Sequence, residues 1–240
     1  MLNLDVLNNA SCRECADVTK AFEQTVQRGL LLPLRLIANT RTRKKTRPKG
    51  FPAIITNGKN TDDVVLSAEE MPFAALAYKF IVPRHYLGLP PDFISRPFFD
   101  VVVVRNPYES RNSKWDGNPE GMYQKARVRV MFHPAEFCRM LAKIAYCLTI
   151  SKHGLCSVKS YLPDVILGRF PDYNYYVGHP CEAQSTMDAL WSSGNGKNTL
   201  HRTLLIYDKT TGKTCIRCLI SLFSPVGFPV YEVMVGELQN

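Results

Sequence analysis

The chain has 240 residues, of which 45% are hydrophobic and 21% charged, a balance that excludes a largely disordered protein and is long enough to bury a substantial core. Thirty Lys and Arg against 21 Asp and Glu leave a formal charge of +9, which favours partners that carry phosphate. The opening residues, Met1 to Ser11, lack the basic start and apolar run of a secretory signal, so a cytoplasmic location is expected, with the eight cysteines as free thiols or metal ligands rather than a disulfide framework.

Taken in chain order, Ser11 reads as the cap of an amphipathic helix over Cys12 to Arg28, with Cys15, Val18, Phe22 and Val26 on its apolar face and Gly29 at its end. A short helix around Pro33 is expected within Leu30 to Ala38. From Arg28 to Lys49 there are eight basic residues and no acidic one, and Arg41, Arg43, Lys44, Lys45 and Arg47 form the candidate nucleic-acid-binding run. The same composition also suits a solvated linker. The expected organisation is therefore a helical segment over 1–40, a basic linker over 41–50 and a larger domain over 51–240.

Ser67 and Glu70 have the spacing of a capping box, which predicts a helix over Ala68 to Lys79, stopped by the Pro-rich stretch Pro83 to Pro97. Asp100 to Arg105 carries four consecutive valines and predicts a strand buried on both faces; Arg127 to Phe132 alternates as a half-buried strand does. His133-Pro134 opens a helix with Phe137, Leu141, Ile144 and Leu148 on one face, ended by Gly154. Its apolar part, Phe137 to Ile150, is interrupted by Arg139 and Lys143 and falls short of the roughly 20 residues that cross a bilayer, so no membrane span is predicted. Thr203 to Tyr207, Thr214 to Phe223 and Val230 to Val235 read as an antiparallel meander, and the fold class is α+β.

Candidate chemistry is sparse. Cys12-Arg-Glu-Cys15 places two thiols on the first turn of a helix, whose N-terminal N–H groups favour thiolates; this is half of a zinc site, with Cys12 and Cys15 as ligands. Cys215 and Cys218 form the other Cys-x-x-Cys, but residues three apart on a strand face opposite sides, so core or edge thiols are expected there. Cys138, Cys147 and Cys156 read as small core residues. His85, His133, His153, His179 and His201 read as solvent-facing or capping, and the adjacency of Cys181 and His179 is no evidence for a Cys/His hydrolase. Trp115 to Glu120 reads as a turn, lacking the spaced carboxylates of a calcium loop, and no glycine-rich phosphate loop follows a strand.

The run Asn8 to Glu23 with its Arg-rich continuation, together with Arg139 to Tyr146, Pro163 to Gly168 and Leu219 to Gly236, resembles bacterial HNH-endonuclease-like proteins in the portion that follows their catalytic His. The resemblance implies a zinc-knuckle half at Cys12 and Cys15, and an upstream hairpin with a further Cys pair and a His that activates water beside a divalent metal. Nothing before Cys12 is His or Cys. The expectation is thus a truncated or degenerate copy, inactive as this chain, with zinc at an incomplete site and a catalytic metal only where the upstream hairpin exists. The alternative is a non-catalytic module that binds nucleic acid or protein.

Overall fold

The computed structural model describes residues 12–40, 50–57, 60–68, 70–71, 73–88, 90, 99–105, 125–128, 133–180, 200–210 and 212–239. The architecture is α+β, with N-terminal helices followed by a larger helix and sheet unit. Helix α1 (Arg13–Arg28) leads through a tight connection to α2 (Leu32–Ile37), which has Pro33 in its first turn. Strands β1 (Phe51–Asn57) and β2 (Asn60–Leu66) pair antiparallel with Asn57 opposite Asn60, and β5 (Lys125–Val128) joins the free edge of β1. Strands β3 (Phe73–Phe80) and β4 (Phe99–Arg105) pair separately as two antiparallel strands.

Helix α3 (Pro134–His153) forms the centre of the molecule. After it come β6 (Val158–Ser160), α4 (Pro163–Leu167), β7 (Val177–Gly178), β8 (Arg202–Thr210), β9 (Lys213–Ser221) and β10 (Val230–Leu238). The last three make the expected meander in the order β10-β9-β8, while β6 and β7 share the other edge of β10. Alternation sorts its side chains. Ile216, Cys218 and Ile220 of β9 and Tyr231, Val233 and Val235 of β10 join one buried cluster with Phe137, Cys138, Leu141 and Ala145 of α3. Phe137 meets the Tyr231 ring edge-on at 5.0 Å and lies 5.6 Å from Tyr78 of β3, so this aromatic group joins the meander to the β3–β4 pair. The Tyr231 hydroxyl donates to the Tyr78 carbonyl at 2.8 Å.

The two cations that interrupt the apolar character of α3 face α1. Lys143 Nζ donates to Thr19 Oγ1 at 3.0 Å and to Glu23 at 2.5 Å, and the Arg139 guanidinium lies 4.6 Å from the Phe22 ring centroid. Arg139 Nε also donates to the Ile166 carbonyl of α4 at 3.0 Å. The buried stripe of α1 is Thr19, Phe22 and Val26, and Val18, expected on the apolar face, is exposed.

Three readings of elements are corrected. Phe73 to Lys79 is strand, not helix: Tyr78 and Phe80 are buried against Phe137 with Lys79 exposed between them, and pairing with the valines of β4 outweighs local helix preference. Half of the predicted capping box does form, with the Ser67 N–H donating to Glu70 Oε2 at 2.9 Å, but it closes a turn after β2. The β4 strand is not buried on both faces, because Val101 and Val103 are 44% and 62% exposed while Val104 is buried. Cys156 is exposed and Cys147 half-buried, so of the three expected core cysteines Cys138 alone is fully enclosed.

Candidate functional site

The Cys-x-x-Cys of α1 has the expected local geometry. Cys12 stands at the N-cap in an extended conformation, and its sulfur accepts the Cys15 N–H at 3.4 Å. Cys12 is exposed and Cys15 half-buried. The Cys15 N–H and the Cys15 thiol hold the Cys12 thiol below its ordinary value, whereas the bond to Cys12 and desolvation raise Cys15. An arginine from beyond α4, Arg169, exerts a weaker opposite pull on Cys15.

Zinc does not follow from this arrangement. Among the described residues no three of His, Cys, Asp and Glu come together in a group that could hold a metal ion, so the expected zinc cofactor is overturned. The physical reason is ligand count: a stable protein site for zinc needs more than two thiolates. Cys215 and Cys218 supply no second pair, since Cys218 faces the α3 core and Cys215 lies on the other face of the sheet. The basic run Arg41, Arg43, Lys44, Lys45 and Arg47 lies outside the described residues, as do Cys181 and the turn Trp115 to Glu120.

The face of the meander turned away from α3 carries a polar cluster that sequence reasoning missed. The Arg217 guanidinium forks onto Asp208, with Nε to Oδ2 at 2.5 Å and Nη2 to Oδ1 at 3.4 Å, and its Nη1 donates to Glu232 Oε1 at 2.6 Å. The same Glu232 oxygen accepts the Tyr86 hydroxyl at 2.8 Å. Glu232 is fully buried, and burial together with this carboxylate pushes the Tyr86 phenol up. Farther along β10, Glu237 accepts the Tyr161 hydroxyl at 2.6 Å and pairs with Lys213 at 3.2 Å, which together hold its carboxyl below the usual range. Period-two alternation of Asp208, Arg217 and Glu232 through apolar strands was a legible signal, once the hairpin register brought the three side by side. These carboxylates are engaged by a guanidinium, an ammonium and phenols, which suits fixing strand register better than abstracting a proton.

Three of the five histidines are placed differently from expectation. His133 caps α3 and His153 ends it, its Nε2 2.8 Å from the Tyr207 hydroxyl. His85, His179 and His201, expected in solvent, are half-buried, and burial lowers all three below 6.5. The His85 ring lies among Tyr161, Tyr175 and Tyr176, and its buried Nδ1 finds no hydrogen-bond partner among the described residues. His179 Nδ1 donates to the Val230 carbonyl at 2.8 Å, which accounts for that ring without any role beside Cys181.

No family model, no curated protein and no solved structure matches this chain. No helix among the described residues is long and apolar enough to cross a membrane.

Proposed function

We propose that this chain is a non-catalytic nucleic-acid-binding protein that holds phosphate backbones through Arg41, Arg43, Lys44, Lys45 and Arg47. The observation that carries the reading is the charge asymmetry: eight basic residues and no acidic one between Arg28 and Lys49. The fold supports it by anchoring both ends of the run. Helix α2 precedes the run and β1 follows it, and Leu32 and Leu36 of α2 pack against the buried group Phe51, Ala53, Ile55, Leu66 and Met71 of the β1–β2 sheet. In sequence, the run thus lies between two elements that pack together. A chain so charged attracts phosphates by releasing counterions, and without aromatic residues between the charges it has nothing to stack on bases, so sequence preference is poor. The described residues hold no ligand set for the metal that the cleavage implied by the resemblance to HNH-endonuclease-like proteins would need.

The test is a titration of mixed-sequence duplex DNA across a salt series, for the wild type and a variant with all five residues changed to Ala. Contact with about three to five phosphates predicts a log-affinity slope against log salt of about −3 to −4.5, lost in the variant. Coincident titrations sink the nucleic-acid reading. Turnover of the same DNA with magnesium, above that of a heat-treated sample, sinks the non-catalytic one.

A further inference from the structure

From the geometry of Cys12 and Cys15 we infer a thiol–disulfide exchange site at the start of α1, with Cys12 as the attacking thiolate, Cys15 as the resolving thiol and a small or exposed disulfide as the substrate. Two observations meet there. The residues are three apart across the helix start, and the Cys12 sulfur is turned toward Cys15, whose backbone N–H it accepts at 3.4 Å. Cys12 is exposed and outside the helix proper, where a reagent can reach it, while Cys15 is half-buried behind it.

The geometry assigns the roles. Cys12 is exposed at the N-cap and its sulfur accepts the Cys15 backbone N–H, which favours its thiolate, whereas Cys15 is half-buried within the helix. A more acidic exposed thiol beside a less acidic sheltered one is the pairing that exchange requires. With oxidised glutathione, the Cys12 thiolate attacks one sulfur, the glutathione S–S bond breaks and one glutathione thiolate leaves. The Cys15 sulfur, as its proton departs, then attacks the Cys12 sulfur, forms the intramolecular S–S bond and expels the second glutathione. The chain loses two electrons and two protons, and the glutathione disulfide gains them as two thiols. Other cysteines do not offer this: Cys156 is exposed but has no cysteine near it in sequence, and Cys138 and Cys218 are buried with thiols held well above 9.0.

The experiment equilibrates the full chain in glutathione buffers of graded ratio, quenches it with acid, alkylates it and maps each cysteine by peptide mass. The expected result is a 12–15 disulfide that forms across the series, and alkylation of Cys12 at neutral pH about tenfold faster than that of Cys156. Cys15→Ser should hold one glutathione at Cys12 because nothing resolves it, and Cys12→Ser, whose hydroxyl keeps the helix cap, should leave Cys15 unmodified. A pair that stays reduced in the most oxidising buffer, or Cys12 and Cys156 reacting at equal rates, overturns the proposal. Glutathione on Cys15 in the Cys12→Ser chain overturns the assignment of roles.

Discussion

Arg217 holds the polar face of the meander together through one planar group. Its fork takes both oxygens of Asp208 and its remaining arm takes Glu232, which is buried and also bound by Tyr86. A buried ion pair repays its desolvation poorly, but removing one partner of such a pair is strongly destabilising. Arg217→Met is expected to lower unfolding free energy by about 3–5 kcal/mol, read from urea midpoints, while adding Glu232→Leu to it should recover part of that loss. A double variant no more stable than the single would show that Glu232 is not the group left stranded. His201 works at the same scale: its Nδ1 accepts the N–H of Phe223, a residue in the left-handed region at φ 49°, and the two rings meet edge-on at 4.8 Å. The ring nitrogen has to stay unprotonated to accept.

At the scale of elements, β10 is the strand on which the rest is hung. It pairs with β9 along one edge and with β7 and then β6 along the other. A bulge between Met234 and Gly236 realigns its end, and Gly236, at φ 154°, lets β6 close in: a Cβ there would lie 2.2 Å from the Lys159 carbonyl oxygen. Gly178 makes the same allowance on β7, where a Cβ would lie 2.3 Å from the Ile81 carbonyl oxygen, the acceptor of the His179 N–H. Gly236→Ala is therefore expected to cost about 1–3 kcal/mol and to speed amide exchange in Val158 to Ser160 ahead of β8. Uniform acceleration across the sheet would mean that the bulge is not a local device.

For the whole molecule, the half-buried histidines contribute to how stability depends on acidity. His85, His179 and His201 are each lowered from 6.5 in the fold, mainly by burial, so the unfolded chain takes up their protons first as pH falls. With more protons bound to the unfolded state, stability rises with pH. Their contribution is complete above 6.5 and is lost as pH falls from there through the lower folded values. Glu237, also lowered, acts in the same direction at more acid pH. Thermal melts between about pH 7.5 and about pH 5.5 should show the midpoint falling, and His201→Asn, which keeps an acceptor for Phe223 but does not titrate, should flatten the fall. A variant profile parallel to that of the wild type would remove His201 from the account.

What the sequence determined by itself was whatever local chemistry decides. Helices α1 and α3 follow from apolar periodicity and from the Gly29 and Gly154 stops, and the meander follows from β-rich runs separated by Gly and Pro. The opposed facing of Cys215 and Cys218 follows from strand alternation, and the pairing of Cys12 with Cys15 from their spacing at a helix start. Only the tertiary structure decided the rest. Phe73 to Lys79 has a local helix start and becomes strand because β4 offers it partners; three histidines that look like turn residues are packed against rings distant in sequence; and the metal expected at Cys12 finds no further ligands among the described residues. Arg217, Asp208 and Glu232 become a cluster only when register sets three strands side by side. Propensity acts over a few residues, whereas pairing, burial and ligand count depend on what the rest of the chain brings alongside.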